Sequence, residues 1–158
     1  MEFLSSVIGI IIFSLYDYFG FHISHRKGWE DFTPVNYYRI SQFIVQTIIT
    51  VSLYFFYGWF SALAFNILWW TWWADLLFYF WYDFFRVFGY PRKPGGFKEQ
   101  VMGNQVTWAY WTAWGLLRFK HKDTVMTKKE IFIQAATGII IVFMLYIIFI
   151  WGFNDLTK

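Results

Sequence analysis

Three carboxylates, Asp17, Asp75 and Asp83, stand inside long apolar runs of this chain. A charged group at the centre of a bilayer costs roughly 2.5–3.5 kcal/mol on insertion scales, so each is a candidate for chemistry before it is a candidate for packing. A desolvated carboxyl group resists ionisation, which suits a general acid or base, and two such groups on different helices make an acid–base pair. Asp17 and Asp75 are the first candidates for that pair, with Asp83 as a third. Asp75 has no basic residue within one helical turn, whereas Asp83 has Arg86 three residues on, a spacing that also fits an interfacial ion pair. His22 and His25, with Asp17 and Asp83, have the side-chain types of a divalent metal site. An i, i+3 histidine pair at a helix end equally fits polar residues at headgroup level. No peptide motif names a cofactor, so the cofactor is unknown at this stage.

Helical phase groups these residues further, because positions i, i+4, i+8 and i+11 share a face. Asp75, Tyr79, Asp83 and Arg86 form one such stripe, and Arg39, Gln42, Gln46 and Thr50 form another. Ser14, Asp17, Ser24 and His25 form a third stripe, and Gln134, Thr137 and Gly138 a fourth. Convergence of the four predicts a polar pocket at one membrane face, with Asn104 and Gln105 as its lid. Arg39, Gln42, Gln46, Tyr79, Arg86 and Asn104 are then the expected ligand-binding residues. The glutamines also suit plain hydrogen bonding between helices.

The elements that position these groups follow from composition. In 158 residues, 58% are hydrophobic, 27% aromatic and only 15% charged, with 11 Trp, 11 Tyr and 21 Phe. The mean hydropathy is +0.40. A soluble domain carries roughly a quarter of its residues as charges, so lipid is expected to cover much of this surface. With no cysteine, disulfides, thiolate metal sites and iron–sulfur clusters are excluded. The net charge of +3 comes with basic residues in short clusters between apolar runs, not in an RNA- or DNA-reading motif, so no nucleic-acid partner is expected. Glu2 and the lack of a small-x-small cleavage site make the first apolar run read as a permanent span.

The expected fold is an all-α integral membrane protein of one domain. Helices are predicted over about 3–23, 34–57, 59–88 and 128–153. Thr33 and Pro34 start the second, and Gly58 closes a tight hairpin into the third. Thr127 and Glu130 form a capping box for the last. Residues 101–118, rich in Trp but diluted by Gly103, Asn104, Gln105, Thr107 and Thr112, are expected to lie at the interface or to re-enter the membrane. Five spans, the alternative, divide the basic residues eight against five across the membrane. Four spans put all but Lys158 of the 13 basic residues on one side, which the positive-inside rule favours. Both termini then lie opposite the cytoplasm. The run Trp69-Trp70-Thr71-Trp72-Trp73 falls within the third helix, where it suits packing or a ring-lined cavity.

The leading functional expectation is a cytoplasm-facing pocket that binds or modifies a lipid-like or prenyl-like amphiphile. Basic clusters beside it suit an anionic headgroup. A non-catalytic subunit of a larger membrane complex is one alternative. A small proton or ion translocator is the other, disfavoured by the apolar outer halves of the helices. The stretch Ala64-Phe65-Asn66-Ile67-Leu68-Trp69 resembles the third helix of the translocator protein family. That likeness implies a five-helix bundle that binds tetrapyrroles or sterols. It covers six residues, and the proline-rich loop of that family is reduced here to Pro34, so no site residue is carried over.

Overall fold

Long apolar runs with few Gly or Pro residues form helix wherever the chain is described. A computed structural model describes residues 1–26, 34–86 and 128–156, and the stretch 101–118, with Asn104, lies outside them. The described residues are all helical apart from short joints, with no strand. The helices are α1 (Glu2–Arg26), α2 (Pro34–Tyr57), α3 (Trp59–Trp70), α4 (Trp73–Arg86) and α5 (Lys128–Leu156). Among the described residues three stretches, Glu2–Ile23, Ile40–Tyr57 and Lys129–Ile150, are long and apolar enough to cross a membrane. Their outward side chains are apolar too, including Phe43, Ile48, Phe55 and Phe56 on α2 and Ile133, Ile140, Met144 and Ile148 on α5. A water-soluble fold does not expose such faces on its longest helices, and this surface is consistent with a membrane protein.

The single continuous helix expected over 59–88 is not formed. Residues 59–86 are divided at Thr71 and Trp72 into α3, of 12 residues, and α4, of 14. At 1.5 Å per residue the two pieces measure about 18 and 21 Å, each short of a ~30 Å hydrocarbon core. Neither Gly nor Pro stands at the break. Trp72 adopts φ +75°, in the left-handed region that a bulky L-residue rarely enters. The cause is tertiary and lies on α5, as described below.

The chain divides into two compact units, Met1–Asn66 and Ile67–Lys158. In the first, α1 and α2 run antiparallel, and Gly58 at φ +88° turns α2 directly into α3. The first turn of α1 is tied to the first turn of α3 by buried serines. Ser6 Oγ donates to the Ser61 carbonyl at 3.0 Å, Ser5 Oγ lies 3.1 Å from Ser61 Oγ, and Ser61 Oγ lies 3.0 Å from the Glu2 carbonyl. One turn further, α1, α2 and α3 meet at Gly9. A Cβ there would stand 3.1 Å from Leu53 Cδ1, 3.1 Å from Phe65 Cδ2 and 3.3 Å from Ile49 Cγ2. Leu53 Cδ1 is the end of a flexible side chain, while the Phe65 ring and the Ile49 branch methyl must each give by a few tenths of an ångström for one methyl to fit. Gly9→Ala is therefore expected to stay within about 1 kcal/mol of the parent, helped by the higher helix propensity of alanine. Gly9→Leu should lose about 3 kcal/mol through overpacking, as read by unfolding in mixed micelles.

In the second unit the packed face of α5 is Ile131, Ala135, Gly138 and Val142, all buried, with Gln134 beside them. Two of these residues are small, which lets another backbone come close.

Candidate functional site

Asp17 is placed in α1 about two turns before the end of that helix, and it is buried, with 6% of its surface exposed. Two donors from α2 reach it. The Tyr38 hydroxyl and the Gln42 amide both donate to Asp17 Oδ1, and the main-chain oxygen of Asp17 lies 2.9 Å from the same hydroxyl. Tyr38 and Gln42 are four residues apart, on one face of α2, which is why a single carboxylate can meet both. Gly20 gives the Tyr38 ring its room, since a Cβ there would stand 3.3 Å from Tyr38 Cε2. Phe21 meets the same ring edge-on, with centroids 6.3 Å apart. A glycine and an aromatic ring on α1 thus aim the phenol at the carboxylate.

Further along α2 the same stripe turns to α3. The Gln46 amide donates to Asn66 Oδ1, and Asn66 Nδ2 donates to Thr50 Oγ1 at 3.0 Å and to the Ala62 carbonyl at 2.8 Å. This cluster joins two helices with neutral groups alone. The expected stripe of Arg39, Gln42, Gln46 and Thr50 is therefore shared between two neighbours, with Gln42 on α1 and Gln46 and Thr50 on α3. The side chain of Arg39 lies outside the described residues.

His22 is buried on α1 with its ring 4.5 Å from that of Tyr18, edge to face. The side chain of His25 lies outside the described residues. Among the described residues no three His, Asp or Glu side chains gather as a metal site would need.

In the second unit, Asp75 falls in the first turn of α4, three residues beyond Trp72. A carboxylate there complements the free N–H groups and positive end of a helix, so the break supplies a structural reason for an acid at this position. Tyr79 and Asp83 follow on the same face of α4, both half-buried, and the side chain of Arg86 is not among the described ones. Asp17 belongs to the first unit and these residues to the second.

The break is clasped by α5. Trp72, only 1% exposed, donates its indole N–H to Gln134 Oε1, and Trp73 donates its own to the Ala135 carbonyl at 3.0 Å. Thr71 rests on Gly138 so closely that a Cβ on the glycine would stand 2.0 Å from Thr71 Oγ1. The Thr71 hydroxyl itself lies 2.7 Å from the Ile67 carbonyl and 3.3 Å from that of Leu68, capping the end of α3. Thr71 and Trp72 of the break, with Trp73 at the start of α4, thus contact three positions on one face of α5.

Sequence reasoning named Asp17, Gln42 and Gln46 and marked the run Trp69-Trp70-Thr71-Trp72-Trp73 for packing or a cavity, but missed Tyr38, Asn66 and the break at Thr71 and Trp72. Tyr38 was readable as the i−4 neighbour of Gln42 on the polar stripe. Asn66, the one amide in its apolar run, carried a similar signal. Nothing local marked the break at Trp72. No protein-family model, curated protein or solved structure matches the chain. The six-residue likeness to the translocator protein family gains nothing from these comparisons.

Proposed function

We propose that this chain is a polytopic membrane protein that holds the polar head of a lipid-like or prenyl-like amphiphile at the Asp17 cluster. The observation that carries this reading is a carboxylate, buried in a candidate membrane span, to which α2 brings two donors. Packing alone does not ask for a charge there, because the Gln46–Asn66–Thr50 cluster joins helices with neutral groups. A carboxylate is worth its desolvation where it meets a donor group of a ligand or passes a proton. Four spans fit this reading, with α3 and α4 together as a broken third and the segment 101–118 at the interface. In that topology twelve of the 13 basic residues share the side on which α1 ends, close to Asp17.

The test is lipid extraction and mass spectrometry of protein purified in mild detergent. The parent is expected to carry a stoichiometric amphiphile, and Asp17→Asn to lose it by tenfold or more at unchanged yield. Equal retention by Asp17→Asn would remove the proposal.

A second reading, a non-catalytic subunit of a membrane complex, is favoured by the internally bonded polar clusters and the broad apolar faces of α2 and α5. Purification with no bound amphiphile but with a stoichiometric partner protein would favour it.

A further inference from the structure

We infer that the joint at Thr71 and Trp72 is a latched hinge, in which α5 holds apart two helices that the sequence itself would join. Residues 59–86 contain neither Gly nor Pro, and their apolar character would continue one helix through the joint. Instead Trp72 sits at φ +75° with its ring buried, a backbone state that costs free energy for any residue with a Cβ and persists only when its surroundings impose it. Those surroundings are specific. Gln134 takes the Trp72 indole proton, the Ala135 carbonyl takes that of Trp73, and Gly138 admits Thr71. The Thr71 hydroxyl occupies the Ile67 and Leu68 carbonyls, and in a continuous helix the latter would accept from the Trp72 N–H.

The two states of the latch differ in a defined way. Latched, α4 starts at Trp73, which is bonded to α5 through the Ala135 carbonyl. Unlatched, Trp72 returns to the right-handed region, α3 runs on into α4, and the bonds to α5 are given up. The switch turns the stripe that carries Asp75, Tyr79 and Asp83, so the latch sets which way the acids of α4 face. It depends on nothing proposed for Asp17, and the two can fail separately.

The chain has no cysteine, so Phe80→Cys and Ile148→Cys give a clean pair for nitroxide labels, both on exposed positions of the second unit. Pulsed electron–electron resonance in nanodiscs is expected to give one distance for the parent. Gln134→Leu, and separately Trp72→Phe, should shift part of the distribution to a second, resolved peak. Adding Trp72→Gly to Gln134→Leu should restore the single parental peak, because glycine accepts positive φ freely and disfavours the continuous helix. One unchanged peak in both Gln134→Leu and Trp72→Phe would overturn the inference. Failure of both variants to fold would overturn it too, because the bonds would then be holding the fold and not choosing between two states.

Discussion

Gly138→Ala is expected to lower the stability of the folded protein by about 2 kcal/mol, a large effect for one methyl group. Propensity alone points the other way, since alanine is favoured over glycine inside a helix by about 1 kcal/mol. The steric term decides. The new Cβ would stand 2.0 Å from Thr71 Oγ1, 2.7 Å from Thr71 Cβ and 3.0 Å from Thr71 Cγ2. Rotating Thr71 moves its oxygen and its methyl but not its Cβ, and rotation also gives up the bond to the Ile67 carbonyl at 2.7 Å. The backbone of the break or of α5 must therefore shift, and overpacking of this kind costs about 1–3 kcal/mol. The partner substitutions should follow the same distances. Thr71→Ser keeps Cβ and hydroxyl and should rescue nothing. Thr71→Ala leaves the 2.7 Å contact and should rescue in part, whereas Thr71→Gly removes every atom in conflict. A double-mutant cycle between positions 71 and 138, read by reversible unfolding in bicelles, should show a coupling above 1 kcal/mol. Stability of Gly138→Ala equal to or above the parent would mean that α5 does not press on the break.

The same contact shows how far the sequence could be read. Long apolar runs and a scarcity of charge were enough for the helices of the described residues, three of them of membrane length, because those properties are local and summed over many residues. The hairpin at Gly58 was legible for the same reason, as glycine was the one residue there that accepts a positive φ without cost. The break at Trp72 was not legible. It is imposed by Gln134, Ala135 and Gly138, more than sixty residues away, against the local preference. On α5 the helical phase placed Gln134 and Gly138 correctly on an inward face, but Thr137, assigned to the same stripe, is exposed and donates to the Ile133 carbonyl of its own helix at 2.7 Å. Position 137 lies one residue off the packed line of 131, 135, 138 and 142. Gln42, Gln46 and Thr50 were found as one polar stripe of α2, but not how it is shared. Gln42 and Gln46, one turn apart, serve different neighbours, and only the packing of α2 against both α1 and α3 decides which.

That division leads to the second large effect, expected at Asp17. Gln42→Leu should cost about 2 kcal/mol, because it removes a donor from a buried carboxylate and leaves that acceptor undersupplied. Tyr38→Phe should cost a comparable amount for the same reason. Removing the acceptor with its donors is different. In Asp17→Leu/Tyr38→Phe/Gln42→Leu the buried acceptor is removed together with both of these donors, apolar surface replaces them, and the triple variant should regain most of the stability lost by either single change. Recovery would mean that α1 and α2 pack as well without the cluster as with it. The carboxylate would then be present for what it binds, and the triple variant should be folded, as stable as the parent within about 1 kcal/mol, and empty of amphiphile. A triple variant less stable than both singles, by unfolding in the same bicelles, would contradict this. It would make the Asp17–Tyr38–Gln42 cluster part of what selects the pairing of α1 with α2, and the case for a ligand at Asp17 would lose its physical basis.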